Sequence, residues 1–319
     1  MSKRPAQDIS PGKPKTENPM GTASLQPVVA NVLAEQQQTH ETRKHVLDGL
    51  ESALGRPVVT LFTSFKLPAM LDDGDADILE GVLQKVDLSK GLALVLSSPG
   101  GDGLAAERII NVCRQYSGTG EYWAVVPSKA KSAATIVCFG ASKIIMGGTS
   151  ELGPIDPQII IPDTGLKQFS VYNIVKSYDN LFRRAVRQKS GNLQPYIQQL
   201  EHYDEREITE LRAAMELAAD IAVKSLRSGM LDGKTAKEIK DSLKGFLTPE
   251  QTKIHARPIY RDQATKAGLN IEVVNIRSEV WNLMYELYIR TDNFVSSRAL
   301  KCVETRNHSF FVPLPDTTR

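Results

Sequence analysis

The stretch "LALVLSSPGGDGLAAERI", Leu92 to Ile109, narrows the possible folds more than any other part of the chain. It opens as an unbroken apolar run of strand length, breaks on glycine, and resumes as a helix. At the break Pro99 fixes one backbone angle, while Gly100 and Gly101 allow a sharp turn and leave an amide uncovered by any Cβ. A second junction follows in "AVVPSKAKSAATIVCFGASKIIMGGTSELGPIDPQI": a strand ends, a serine precedes an alanine-rich helix, and another glycine-rich turn comes after it. Around these pieces "RPVVTLFTSF", "EYWAVVP" and "SKIIMG" read as strands, with helices over "DDGDADILEGVLQKV", about 104–116 and about 133–140. Strand and helix alternating at this spacing make an α/β fold with a mostly parallel sheet and helices outside it. Sites in that class lie beyond the carboxyl ends of the strands, where both glycine turns fall.

The flanks read differently. Residues 1–34, rich in Pro, Lys, Gln, Ser and Thr, have the composition of a disordered tail, and 35–55 read as a polar N-terminal helix. The α/β domain is expected over 56–275. Within it "DPQIIIPDTGLKQFS" reads as a loop, and helices are expected at about 171–189, 205–229, 235–244 and 248–255, with a small strand in "TKAGLNIEVVN". Over 276–319 the expectation is a helix at 279–291 and an extended arm containing "SFFVPLP".

At 319 residues the chain can bury a sizeable core. A net charge of +2 without a basic cluster argues against a nucleic-acid partner. Cys113, Cys138 and Cys302 have neither disulfide nor metal spacing, and the five histidines are scattered, so no metal and no cofactor is expected. There is no apolar run of spanning length and no export signal, which points to the cytoplasm.

Chemistry centres on the two junctions. An exposed amide at Gly100 or Gly101 suits an anion or an oxyanion, since its donor is already oriented when charge develops. The turn has neither GxGxxG nor GxxxxGK[ST], so the usual nucleotide-phosphate loops are not indicated. Ser132 stands between a strand and a helix. It is either the N-cap of that helix or a nucleophile, and a nucleophile needs a base and an oxyanion hole, for which the amides of Ala133 and Gly101 are the natural pair.

These residues resemble a family. "SSPGGD" is similar to the oxyanion turn of the clan that holds the Clp protease subunit, signal peptide peptidase A and the crotonases. "SELGPIDPQ" resembles the serine dehydrogenase proteinase branch of that clan, and "HARPIYRDQATKAGLN" resembles the element closing signal peptide peptidase domains. The resemblance implies a superhelical stack of strand-strand-helix units, a serine peptidase acting on peptides or proteins, no cofactor, and a homo-oligomer; an unfoldase or membrane-associated partner stays open. It departs at the base. Where the Clp type has a histidine, this chain offers Asp156, which could orient a base or organise the turn. The signal peptide peptidase pattern directs attention to Lys176, set among Ile174, Val175 and Leu181, whose burial could lower its pKa; Lys167 precedes it. His255 is the third candidate, as a base or as a hydrogen-bonded residue at a helix end. Two other functions share the fold: a catalytically inactive oligomeric scaffold or peptide-binding module, and a crotonase-like acyl-coenzyme A enzyme.

Overall fold

The computed structural model describes residues 39–66, 69–161, 167–189 and 191–315, together with Val29 and Val32. The tail expected over 1–34 lies outside the described residues apart from those two valines.

After helix α1 (Glu41–Leu54) the chain alternates as expected through β1 (Val58–Thr63), α2 (Asp73–Leu83), β2 (Leu92–Ser97), α3 (Gly103–Tyr116), β3 (Tyr122–Val126), β4 (Lys129–Ala130), α4 (Ala133–Phe139), β5 (Lys143–Met146) and β6 (Glu151–Leu152). A hairpin β7 (Gln158–Ile161) and β8 (Lys167–Ser170) then leads into helices α5 (Val171–Arg187), α6 (Gln194–Leu200), α7 (Glu205–Arg227), α8 (Ala236–Ser242), α9 (Lys244–Leu247) and α10 (Pro249–Thr252). The chain closes with β9 (Ile259–Tyr260), α11 (Arg261–Lys266), β10 (Ile271–Val273), α12 (Glu279–Ser297), β11 (Ala299–Glu304) and β12 (Ser309–Pro313).

The main sheet has seven strands in the order β10-β5-β3-β2-β1-β11-β12. Its first five run parallel, and β11 and β12 are antiparallel additions. Strands β1 and β2 are apolar almost throughout because both faces of the sheet are covered. Val59, Leu61, Leu94 and Leu96 face a core shared with α2, α3, α4 and α7. Val58, Phe62, Ala93 and Val95 face the other core, built with α1 and α12. The result is mixed α/β with a mostly parallel central sheet and a helical C-terminal part. Among the described residues no helix is long and apolar enough to cross a membrane.

Several elements differ from the sequence reading. The segment around "DPQIIIPDTGLKQFS", expected as a loop, holds the hairpin β7–β8, whose strands pair only with each other. The extended end at "SFFVPLP" is the edge strand β12, and β11 before it pairs with β1, so the C-terminal residues belong to the main sheet. The helix expected to reach residue 255 stops at Thr252, and Lys253 turns the chain at φ 71°.

A second, small sheet positions the site. Its strands are β4, β6 and β9, and Ser98 joins it through a parallel bridge to Ala130. Each of β2, β3 and β5 is therefore followed by a short segment in this sheet, giving repeated strand-strand-helix units. Three turns leave it in the same direction, one each after Ser98, Ala130 and Leu152.

Candidate active site

The first turn is held before any ligand arrives. Ser98 Oγ accepts from the Gly100 amide at 3.0 Å and is itself paired with Thr63 Oγ1 at 2.8 Å. Gly100 (φ 100°) and Gly101 (φ 156°) occupy conformations that side chains rarely adopt. Space demands glycine as well. A Cβ on Gly100 would stand 2.5 Å from Ser132 Cβ and 2.6 Å from the Lys131 carbonyl, and one on Gly101 would stand 2.3 Å from the Leu71 backbone. The first glycine turn is thus pressed against the serine of the second.

Ser132 is one of two non-glycine residues with positive φ among the described residues, at φ 49° and ψ −122°. Such a conformation costs about 1–3 kcal/mol and persists only where its surroundings impose it. Its hydroxyl makes no capping hydrogen bond to the helix it precedes, so α4 is not what holds it there. Thr135, one turn on, fastens α4 to the third turn: its Oγ1 donates to the Ala130 carbonyl at 2.8 Å and accepts from the Gly153 amide at 3.0 Å.

The third turn carries Asp156, whose side chain is fully buried. Its carboxylate accepts from His255 Nδ1 (2.7 Å), Ser170 Oγ (2.8 Å) and Gln158 Nε2 (2.8 Å). With donors on three sides Asp156 is the acceptor of the pair, which puts the proton on Nδ1 and leaves Nε2 of His255 able to accept. Strands β6 and β9 are antiparallel with Leu152 opposite Ile259. Asp156 comes four residues after Leu152 and His255 four residues before Ile259, so the two segments that carry them leave the same end of the small sheet, and their side chains meet there.

Ser132, Ala133, Gly101 and His255 all line one cleft of about 460 Å³. The amides of Gly101 and Ala133 have no acceptor among the described residues, whereas the Gly100 amide is taken by Ser98. Of the three expected oxyanion donors, two are therefore free, and Gly100 serves instead by its close approach to Ser132. Ser132 and His255 make no hydrogen bond with each other among the described residues, and catalytic hydrogen bonds of this kind commonly close only around the substrate.

Lys176 is elsewhere. Its side chain is 45% exposed, its ammonium pairs with Glu250 at 2.5 Å and with the Tyr172 hydroxyl, and the Glu250 contact first of all raises its pKa. The burial expected to lower that pKa is absent, and Lys176 does not line the cleft. Lys167 is exposed on β8. Lys131, although next to Ser132, turns to Glu151 at 2.7 Å and the Leu152 carbonyl at 3.1 Å; burial pulls its pKa down and the Glu151 contact partly opposes this.

Ser98, Thr135, Gln158 and Ser170 were not singled out in the sequence. Ser98 lies within "SSPGGD" and could have been found as the residue before the turn. The other three carry no local signal, because their roles depend on partners distant in the chain.

Residues 54–183 match the family of ClpP-like SDH-type serine proteinases, so the resemblance carried by "SSPGGD" and "SELGPIDPQ" holds over that segment. An uncharacterized protein of Methanocaldococcus jannaschii is 29% identical over 220 residues, which make up 67% of this chain and 64% of that protein. The match thus spans less than two thirds of the relative's length. Among solved structures, a serine-to-alanine mutant of the 1510-N membrane-bound stomatin-specific protease is similar at 14% identity and a TM-score of 0.39, over 64% of this chain and 75% of that one.

Proposed function

We propose that this chain, whose residues 54–183 carry the ClpP-like SDH-type serine proteinase pattern, is a serine peptidase working by acyl transfer. Ser132 Oγ attacks a peptide carbonyl while His255 Nε2 takes its proton, and Asp156 keeps the imidazole in the tautomer that can do so. The oxyanion forms between the Gly101 and Ala133 amides, two donors that need not reorient as charge develops. His255 then returns the proton to the leaving amine, and water releases the acyl group by the same steps in reverse. Met70, Leu104, Ile136, Ile155, Leu217 and Ile221 make the cleft wall apolar, which suits peptides with apolar side chains at the scissile bond.

The observation that carries this reading is Ser132 itself: a strained serine with an uncapped hydroxyl, against a glycine turn, in the cleft that His255 lines. A fluorophosphonate probe tests it. Wild type and K176M should label at Ser132, S132A should not label, and D156N and H255Q should label roughly a hundredfold or more slowly. Labelling of H255Q at the wild-type rate would remove histidine from the mechanism. A non-catalytic peptide-binding module is the second reading, favoured by the lack of a hydrogen bond between Ser132 and His255. It expects no labelling of wild type and equal peptide binding by wild type and S132A.

A further inference from the structure

A second cavity, of about 360 Å³, shares no lining residue with the cleft. Its apolar wall includes Phe246, Ile259 and Ala267, and Arg257 and Lys266 contribute two positive charges. No carboxylate lines it. Both cations are exposed at its mouth, and neither makes an ion pair or a side-chain hydrogen bond among the described residues. Thr252 also lines the cavity; it is 5% exposed, and its hydroxyl has no hydrogen-bond partner among the described residues. A buried hydroxyl without a partner is costly, and a polar group on an occupant of the cavity would relieve that cost. Two unneutralised cations, a spare hydroxyl and an apolar wall are complementary to a carboxylate or phosphate head on an apolar body.

The cavity also adjoins the catalytic segment. Thr252 and Arg257 flank His255 in sequence, and the chain between them turns at Lys253 in a conformation that side chains seldom adopt. Phe246, from the same wall, accepts at its carbonyl from the amide of Ile155, the neighbour of Asp156. An occupant held by Arg257 and Thr252 would fix both ends of the segment that carries His255, against a wall bonded to the turn that carries Asp156.

We infer that this cavity binds a small organic anion, and that the occupant holds residues 252–257, and with them His255, in place at the cleft. The second half rests on His255 acting as the base. Calorimetric titration with phenyl phosphate tests the site, with benzyl alcohol as the neutral control and inorganic phosphate as the head alone. Phenyl phosphate should bind saturably at one site on wild type and equally on S132A. On R257Q/K266Q it should bind roughly tenfold or more weakly, the loss expected for two charge-assisted contacts. No saturable binding, binding unchanged in R257Q/K266Q, or benzyl alcohol binding as well as phenyl phosphate would overturn the site. For the coupling, saturating phenyl phosphate should change the rate of fluorophosphonate labelling several-fold in wild type and not in R257Q/K266Q. An unchanged rate overturns the coupling and leaves the site to stand on calorimetry. Absence of any labelling in wild type, with binding intact, would count against the peptidase reading and the coupling, and not against the anion site.

Discussion

Ser132 is held by its neighbours at some expense to the fold. The φ of 49° places its Cβ where an L-residue is strained, and no capping bond offsets this. Glycine adopts the same backbone without that strain, at the lesser cost of extra freedom in the unfolded chain. Ser132→Gly is therefore expected to be more stable than Ser132→Ala by about 1 kcal/mol, with neither variant labelled by a fluorophosphonate. Urea denaturation of the pair reads the difference. A glycine variant no more stable than the alanine one would mean that the backbone at 132 is relaxed, and the strain argument for a nucleophile would fall. The same scale explains Lys176. Ile174 and Val175 are its neighbours in sequence but lie on other faces of α5, whereas Tyr172, four residues back, is the neighbour it touches. Apolar residues adjacent in sequence were therefore a poor guide to burial.

Among the elements, the turns do the positioning and the short strands decide which turns meet. Gly100 lies against Ser132, and Gly101 against Leu71, at distances that leave no room for a methyl group. Gly100→Ala and Gly101→Ala should each cost about 2–4 kcal/mol, combining overpacking with a disfavoured φ. Their functional effects should differ in kind. Gly100→Ala drives the turn away from the serine and should abolish labelling of Ser132 in protein that circular dichroism shows to be folded; labelling at the wild-type rate would contradict the contact between the two turns. The strands, helices and glycine turns of the α/β core were legible because each announces itself locally, through an apolar run, a helical period or a Gly-Gly pair. Ser132, Ala133 and Gly101 could be found for the same reason, since they adjoin those features. The pairing of Asp156 with His255 could not. The segments that carry them are anchored by β6 and β9, two strands of two residues each, too short to leave any period, and the pair joins positions 99 residues apart. The sequence offered both residues as candidates and no reason to bring them together.

The molecule as a whole is closed by its ends. The α/β core would leave β1 at the edge of the parallel sheet, and β11, which follows α12, covers that edge. Helix α1, from the other end of the described chain, packs with α12 on the same face. A buried ion pair fastens the two ends: Arg43 on α1 meets Glu304 on β11 through two hydrogen bonds of 2.6 Å, with the side chains 1% and 0% exposed. Glu304 also accepts from Ser309 Oγ at 2.6 Å, and the guanidinium lies 4.4 Å from the Phe294 ring centre. Two charges taken out of water gain little net stability from each other, yet either one left alone there is severely penalised. Glu304→Leu, which strands the guanidinium, should cost about 3–5 kcal/mol, and Arg43→Met, which strands the carboxylate, a similar amount. The double variant Arg43→Met/Glu304→Leu should recover much of that loss, because it leaves no unpaired charge in the core. Urea unfolding of the two singles and the double measures the coupling. If the two single losses simply add, Arg43 and Glu304 act as independent charges, and the fastening of the two chain ends lies in apolar packing and in the outer polar contacts, His40 with the Thr305 carbonyl and Arg306 with Asp48 and Glu51.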